Sequence, residues 1–121
     1  MRPSLPFRDD STHLHDILEA IDNVESFLRG MDLAGYRADI KTESAVERQV
    51  QVITEAAVRL GERAETLVPG PDWKGFRGMG NILRHAYHRI DDELVWNSAK
   101  DELPTMKVAI LKCLKSSDPT A

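Results

Sequence analysis

The chain holds a single cysteine, Cys113, in 121 residues. One cysteine can neither close an intrachain disulfide nor supply a cysteine cluster for zinc, and it is compatible with a reducing cytosol. No segment approaches the roughly 18 apolar residues of a membrane helix. The first ten residues, MRPSLPFRDD, have no long apolar run and carry prolines and acids, so they do not read as a signal peptide. These absences favour a cytoplasmic protein with no membrane role. The formal net charge is only −4, which argues against a nucleic-acid binder that uses its whole surface but leaves room for a local basic patch. There is no internal repeat, no low-complexity tract and no run with strand alternation. No HExxH pattern, Walker loop or nucleophilic serine or cysteine signature occurs. Gly75, Gly78 and Gly80 lack the strand-before-helix context of a phosphate cradle. No cofactor or metal is expected.

What remains is helical periodicity. The length suits a single domain spanning 1–121. Met1 to Phe7, with Pro3 and Pro6, reads as an extended arm. Asp9, Asp10 and Ser11 offer cap oxygens, and Leu14, Ile17, Leu18, Ile21, Val24 and Leu28 then recur at helical steps up to Gly30. His13 and His15 flank this face; two residues apart on a helix, they point away from each other. Gly30 to Lys41 reads as a connection. Thr42 or Ser44 can cap the next helix, and Ser44 with Glu47 has capping-box spacing. A long stripe follows through Val46, Val50, Ile53, Ala57, Leu60, Ala64 and Leu67. Glu55, beside it, is a solvated carboxylate unless it faces the central segment. Pro69, Gly70 and Pro71 stop that helix. Asp72 can cap a helix starting at Trp73, and Ile82, Leu83, Ala86, Ile90 and Leu94 mark its buried face. Lys100 to Leu103 reads as a turn, with Pro104 opening a last helix through Met106, Ile110 and Leu114. Short connections between such helices imply an all-α, antiparallel up-and-down bundle of four to five helices.

The chemistry-bearing residues concentrate in WKGFRGMGNILRHAYHRIDDELVW, from Trp73 to Trp96. On a helix, Arg77, Asn81, Arg84 or His85, and His88 form a nearly continuous polar row. His88 stands four before Asp92, which could fix its tautomer. His85 and His88, at i and i+3, could together with Asp92 at most hold a cation weakly. Such a row suits metal-free phosphodiester cleavage: a histidine moves a proton near neutral pH, and arginines steady the charge of a phosphorane-like transition state. One histidine per subunit is a thin complement, which a twofold dimer would double. The plainer alternative makes His85 and His88 surface residues of a charge-rich helix. Lys74, Arg77, Arg84 and Arg89 could also form a phosphate-binding patch without turnover.

NILRHAY followed by HRIDDELVW resembles the hallmark region of the HepT-like family of the HEPN superfamily. HLHDILEAIDNVESFL and ESAVERQVQVITEAAVRL are similar to that family's first two helices, so the resemblance runs from about residue 10 to 115. It implies a helical homodimer acting as the toxin of a two-gene toxin–antitoxin module. It further implies a metal-independent ribonuclease acting on RNA, silenced by an MNT-type nucleotidyltransferase that transfers AMP to a motif tyrosine. The family motif is an arginine, four residues, a histidine, one residue and a tyrosine. His85 takes the histidine place, Tyr87 the AMP-acceptor place, and Asn81 the polar position after the arginine. The arginine place falls on Gly80, which supplies no charge. Arg77 or Arg84 is then the candidate to replace it, or the protein is a weakly active or inactive module that docks a nucleotidyltransferase.

Overall fold

The computed structural model describes the backbone over 4–85 and 92–117 and the side chains of 9–83 and 92–116. All regular structure among the described residues is helical: α1 (Ser4–Leu28), α2 (Leu33–Ala38), α3 (Ile40–Leu60), α4 (Arg63–Leu67), α5 (Trp73–His85), α6 (Asp92–Asn97), a π-helical turn (Ser98–Glu102) and α7 (Leu103–Ser117). The all-α class stands, but four to five helices is an undercount.

Three local features explain the difference. The connection after Gly30 is itself a helix, because Asp32 accepts a hydrogen bond from the Gly35 amide at 2.8 Å and caps α2. The stripe that ends at Leu67 is two helices, because Gly61 has φ +60 and breaks the chain between α3 and α4. The expected turn after Lys100 is instead a π-helical turn that joins α6 to α7. There the Leu103 amide reaches the Ser98 carbonyl, five residues back. Pro104 accounts for it. Its ring would clash with the carbonyl four residues earlier, and the wider turn accommodates a residue that has no amide to donate.

Two helices also start earlier than their cap residues suggest. Helix α1 already begins at Ser4. Pro6 lies in its first turn, where no intrahelical donor is missed. Helix α3 is capped neither by Thr42 nor by Ser44 but by Asp39. Its carboxylate accepts from the Thr42 amide at 3.2 Å and from the Thr42 hydroxyl at 2.8 Å. These bonds hold the Asp39 carboxyl below its ordinary pKa.

Helices α1 and α3 form the centre and run antiparallel. Asn23, late in α1, donates to Gln49, midway along α3, at 3.2 Å. Asp10, early in α1, is gripped by Arg63, just beyond α3, at 2.8 Å. Their facing stripes are fully buried: Leu14, Ile17, Ile21 and Val24 meet Val46, Val50, Ile53 and Leu60. Helix α5 packs on α3, and α7 packs on α1 through Leu103, Met106 and Ile110. Burying a large aliphatic side chain contributes about 1.5–3 kcal/mol, so this interior dominates the stability. No described helix is long and apolar enough to cross a membrane.

Candidate active site on helix α5

Helix α5 is anchored at its start. Asp72 accepts from the Gly75 amide at 3.0 Å, as the sequence predicts for a cap. Trp73 is buried, and its indole N–H donates to the Val68 carbonyl at 2.8 Å across the proline-rich corner. Trp73, Phe76, Met79 and Leu83 then form the buried face. Gly80 lies on that side and is also buried. Ile82, expected inside, is 55% exposed, and Leu94 is 41% exposed. The core-facing stripe of α5 advances through 76, 79 and 83 instead, which leaves 82 on the outer flank. With Gly75, Gly78 and Met79, these two side chains line a groove of about 360 Å³.

Asn81 is exposed on α5, one turn after Arg77 and one turn before His85. Arg84 and His85 close the helix, and their side chains lie outside the described residues. Tyr87, His88 and Arg89 lie outside them as well, as do Ala86 and Ile90 of the expected buried face.

Arg77 is not poised for a phosphate. Its guanidinium makes a two-pronged pair with Glu65, at 3.1 and 2.6 Å, and also donates to the Gly61 carbonyl at 3.1 Å. The pair lowers the Glu65 pKa and raises that of Arg77. Arg77 thus fastens α5 to the α3–α4 corner, and its charge is already compensated. Lys74 is exposed. Glu55 is exposed, a solvated carboxylate, and His15 is exposed too. The described residues contain no group of three or more metal-ligating side chains.

A second polar locus was not singled out from the sequence. Tyr36 is fully buried, and its hydroxyl makes no hydrogen bond with a described residue. Burial, then Glu47, Glu43 and Asp92, push its pKa upward. Glu47 is raised by burial and by Asp92. Asp92 is itself buried, with Arg37 at 3.8 Å. The Tyr36 ring leans on Trp96 at 5.5 Å, and Lys100 covers Trp96 at 5.0 Å. The legible signal was the Asp32 cap, which puts Tyr36 on a helix; the Asp92 approach is a tertiary effect. Asp92 directly follows 86–91 in sequence, so this acidic corner is covalently joined to the motif segment.

A profile described as "Ribonuclease HepT-like" matches residues 17–113. The chain belongs to the HepT-like family. Among curated relatives of this HepT-like protein, "Probable ribonuclease HepT" of Thermococcus cleftensis is 32% identical over 100 residues, covering 83% of this chain and 91% of the relative. Two Methanocaldococcus jannaschii proteins with provisional RNase names are each 32% identical over 111 residues. Both matches cover 92% of this chain; they cover 92% of one relative and 96% of the other. No solved structure matches. The helix brings Arg77, Asn81 and His85 into one row by position, yet the Arg77 side chain is diverted to Glu65.

Proposed function

We propose that this HepT-like chain is a metal-independent endoribonuclease and the toxin half of a two-gene module. The observation that carries this reading is the exposed Asn81 one turn before His85, within a chain of a family described as ribonucleases. In this reading the attacking ribose hydroxyl gives its proton to His85 as the new P–O bond forms. The P–O bond to the departing nucleotide breaks, and its oxygen takes up a proton. General acid–base catalysis of this kind contributes about 10²–10⁴-fold. Asn81 donates to a phosphate oxygen, and Arg84 supplies the positive charge that Gly80 cannot. Silencing occurs when the Tyr87 phenol attacks the α-phosphorus of ATP on an MNT-type nucleotidyltransferase and pyrophosphate leaves. Two copies meet through the α5 face of Gly75, Gly78 and Ile82 with Leu94, which sets two His85 residues in one dimer. The test is purified protein with total RNA and tRNA in EDTA, beside His85→Ala. Intact RNA in both samples at high protein concentration rejects the reading.

A second reading is favoured by Arg77. With Gly80 at the arginine place and Arg77 bound by Glu65, the chain acts as a weak or inactive module that docks the nucleotidyltransferase. Mass spectrometry of Tyr87 after incubation with the partner and ATP separates the two. A modified Tyr87 on a protein that never cleaves RNA selects the second.

A further inference from the structure

Helix α7 presents a face that the proposed site does not use. Pro104, Val108, Lys112 and Ser116 lie at four-residue steps along it, opposite Leu67 and Pro69. Between them runs an open groove of about 860 Å³. At 1.5 Å per residue the stripe is roughly 18 Å long, the length of about three helical turns. Its lining is mainly apolar, and Val108 is 67% exposed there.

The charge on the α7 wall of this groove has one sign. Helix α7, LPTMKVAILKCLKSS, contains three lysines and no acid, in a chain whose net charge is −4. Lys107 is committed to Asp22 and Glu25, at 2.9 and 3.0 Å. Lys112 lines the groove, and Lys115 follows it on the same exposed helix. A second copy docking through the same face of α7 is a poor occupant, because it would bring lysines and no acid to pair with Lys112 and Lys115. An apolar floor with a cationic rim, three turns long, instead complements a helix with an apolar ridge and acidic flanks.

We propose that this groove docks an amphipathic, acid-flanked helix of a partner protein. The proposal is independent of RNA cleavage, so neither stands or falls with the other. Cys113, the only cysteine in the chain, lies in the groove and serves as a reporter.

The probes are three synthetic helical peptides with the same length: a leucine ridge with glutamate flanks, the same ridge with lysine flanks, and glutamate flanks with a serine ridge. Affinity is read by fluorescence anisotropy on the full chain, and groove occupancy by the rate of Cys113 alkylation. The glutamate-flanked leucine peptide is expected to bind at least tenfold tighter than either control and to slow alkylation. Val108→Asp, at an exposed position, is expected to weaken it at least tenfold with an unchanged melting curve. Lys112→Glu is expected to shift preference toward the lysine-flanked peptide. Absence of binding, equal binding of the lysine-flanked peptide, or full affinity in Val108→Asp overturns the proposal. So does a concentration-dependent dimer that Val108→Asp dissociates.

Discussion

Arg77 and Glu65 face each other across the corner between α4 and α5, with two nitrogens of one side chain on two oxygens of the other at 3.1 and 2.6 Å. This pairing removes from the phosphate-binding role one of the two arginines that could stand in for Gly80. It also makes a separable prediction. Arg77→Lys keeps the charge but loses the fork geometry and the second contact to Gly61. It is expected to lower the melting temperature by a few degrees while leaving RNA cleavage within about threefold, since the lost contacts are structural. Glu65→Gln should produce a smaller loss, since the Gly61 contact survives, and the double variant should lose no more than Arg77→Lys alone. The folded-state pKa of Glu65 is lowered, so its contribution is present above the ordinary carboxylate pKa and is lost as pH falls through the lowered value. The difference between wild type and Glu65→Gln should therefore vanish in acid. Melting curves across pH check it.

His85→Ala is expected to reduce RNA cleavage by about 10²–10⁴-fold, the range for losing a general acid–base group. Asn81 is exposed on its helix, so Asn81→Ala should leave the melting temperature nearly unchanged and lower cleavage at least tenfold. Cleavage in both wild type and Asn81→Ala should be unaffected by EDTA. Gel assays on tRNA read all three.

Glu47 gives a pH effect of opposite sign to Glu65. Its folded-state pKa is raised by burial and by Asp92. Folding thus disfavours its ionised form, and the cost grows as pH rises past the ordinary carboxylate range. Glu47→Gln should raise the melting temperature at neutral pH by up to a few degrees, with the gain fading at pH values where Glu47 is protonated in both states. A gain that persists undiminished in acid contradicts the electrostatic cause.

The glycines of α5 separate into two kinds. A methyl group on Gly78 meets nothing within 4 Å, whereas one on Gly75 runs into the Asp72 carboxylate. Gly78→Ala should stabilise the monomer fold by about 0.5–1 kcal/mol, the usual helical cost of glycine. Gly75→Ala should gain nothing, because the same change dislodges a cap worth about 1 kcal/mol. If two α5 helices meet in a dimer, Gly78→Leu should halve the mass seen by light scattering, and so should Leu94→Asp.

Much of this was readable in the chain because burial follows periodicity. The stripes of α1 and α3 are buried as their spacing predicts, and the Asp72 cap and the proline-rich stop are in place. Short-range chemistry misled where two candidates competed: Asp39 won over Thr42 and Ser44 because its carboxylate reaches both the Thr42 amide and hydroxyl. Ile82 and Leu94 fit the periodicity of an interior face yet are exposed, because hydrophobicity alone does not say which side of a helix has a neighbour. The Arg77–Glu65 pair spans 12 residues and a broken helix, and no periodic pattern encodes it. The side chains of Arg84, His85 and Tyr87 stay with the sequence-level expectation, since they lie outside the described residues.

The π-helical turn at Ser98–Glu102 carries a consequence for inheritance as well as for shape. A wide turn of this kind amounts to one residue more than an α-helix needs over the same rise. Removing one residue there restores a continuous α-helix only if Pro104 changes too, because the ring then meets the carbonyl it currently avoids. The two alterations are therefore coupled: deletion alone drives the Pro104 ring into a carbonyl, whereas deletion with the proline replaced keeps Trp96 and the acidic corner facing as they do, because the wide turn already absorbs the extra residue. Relatives that lack the proline should accordingly be one residue shorter between the motif segment and the last helix.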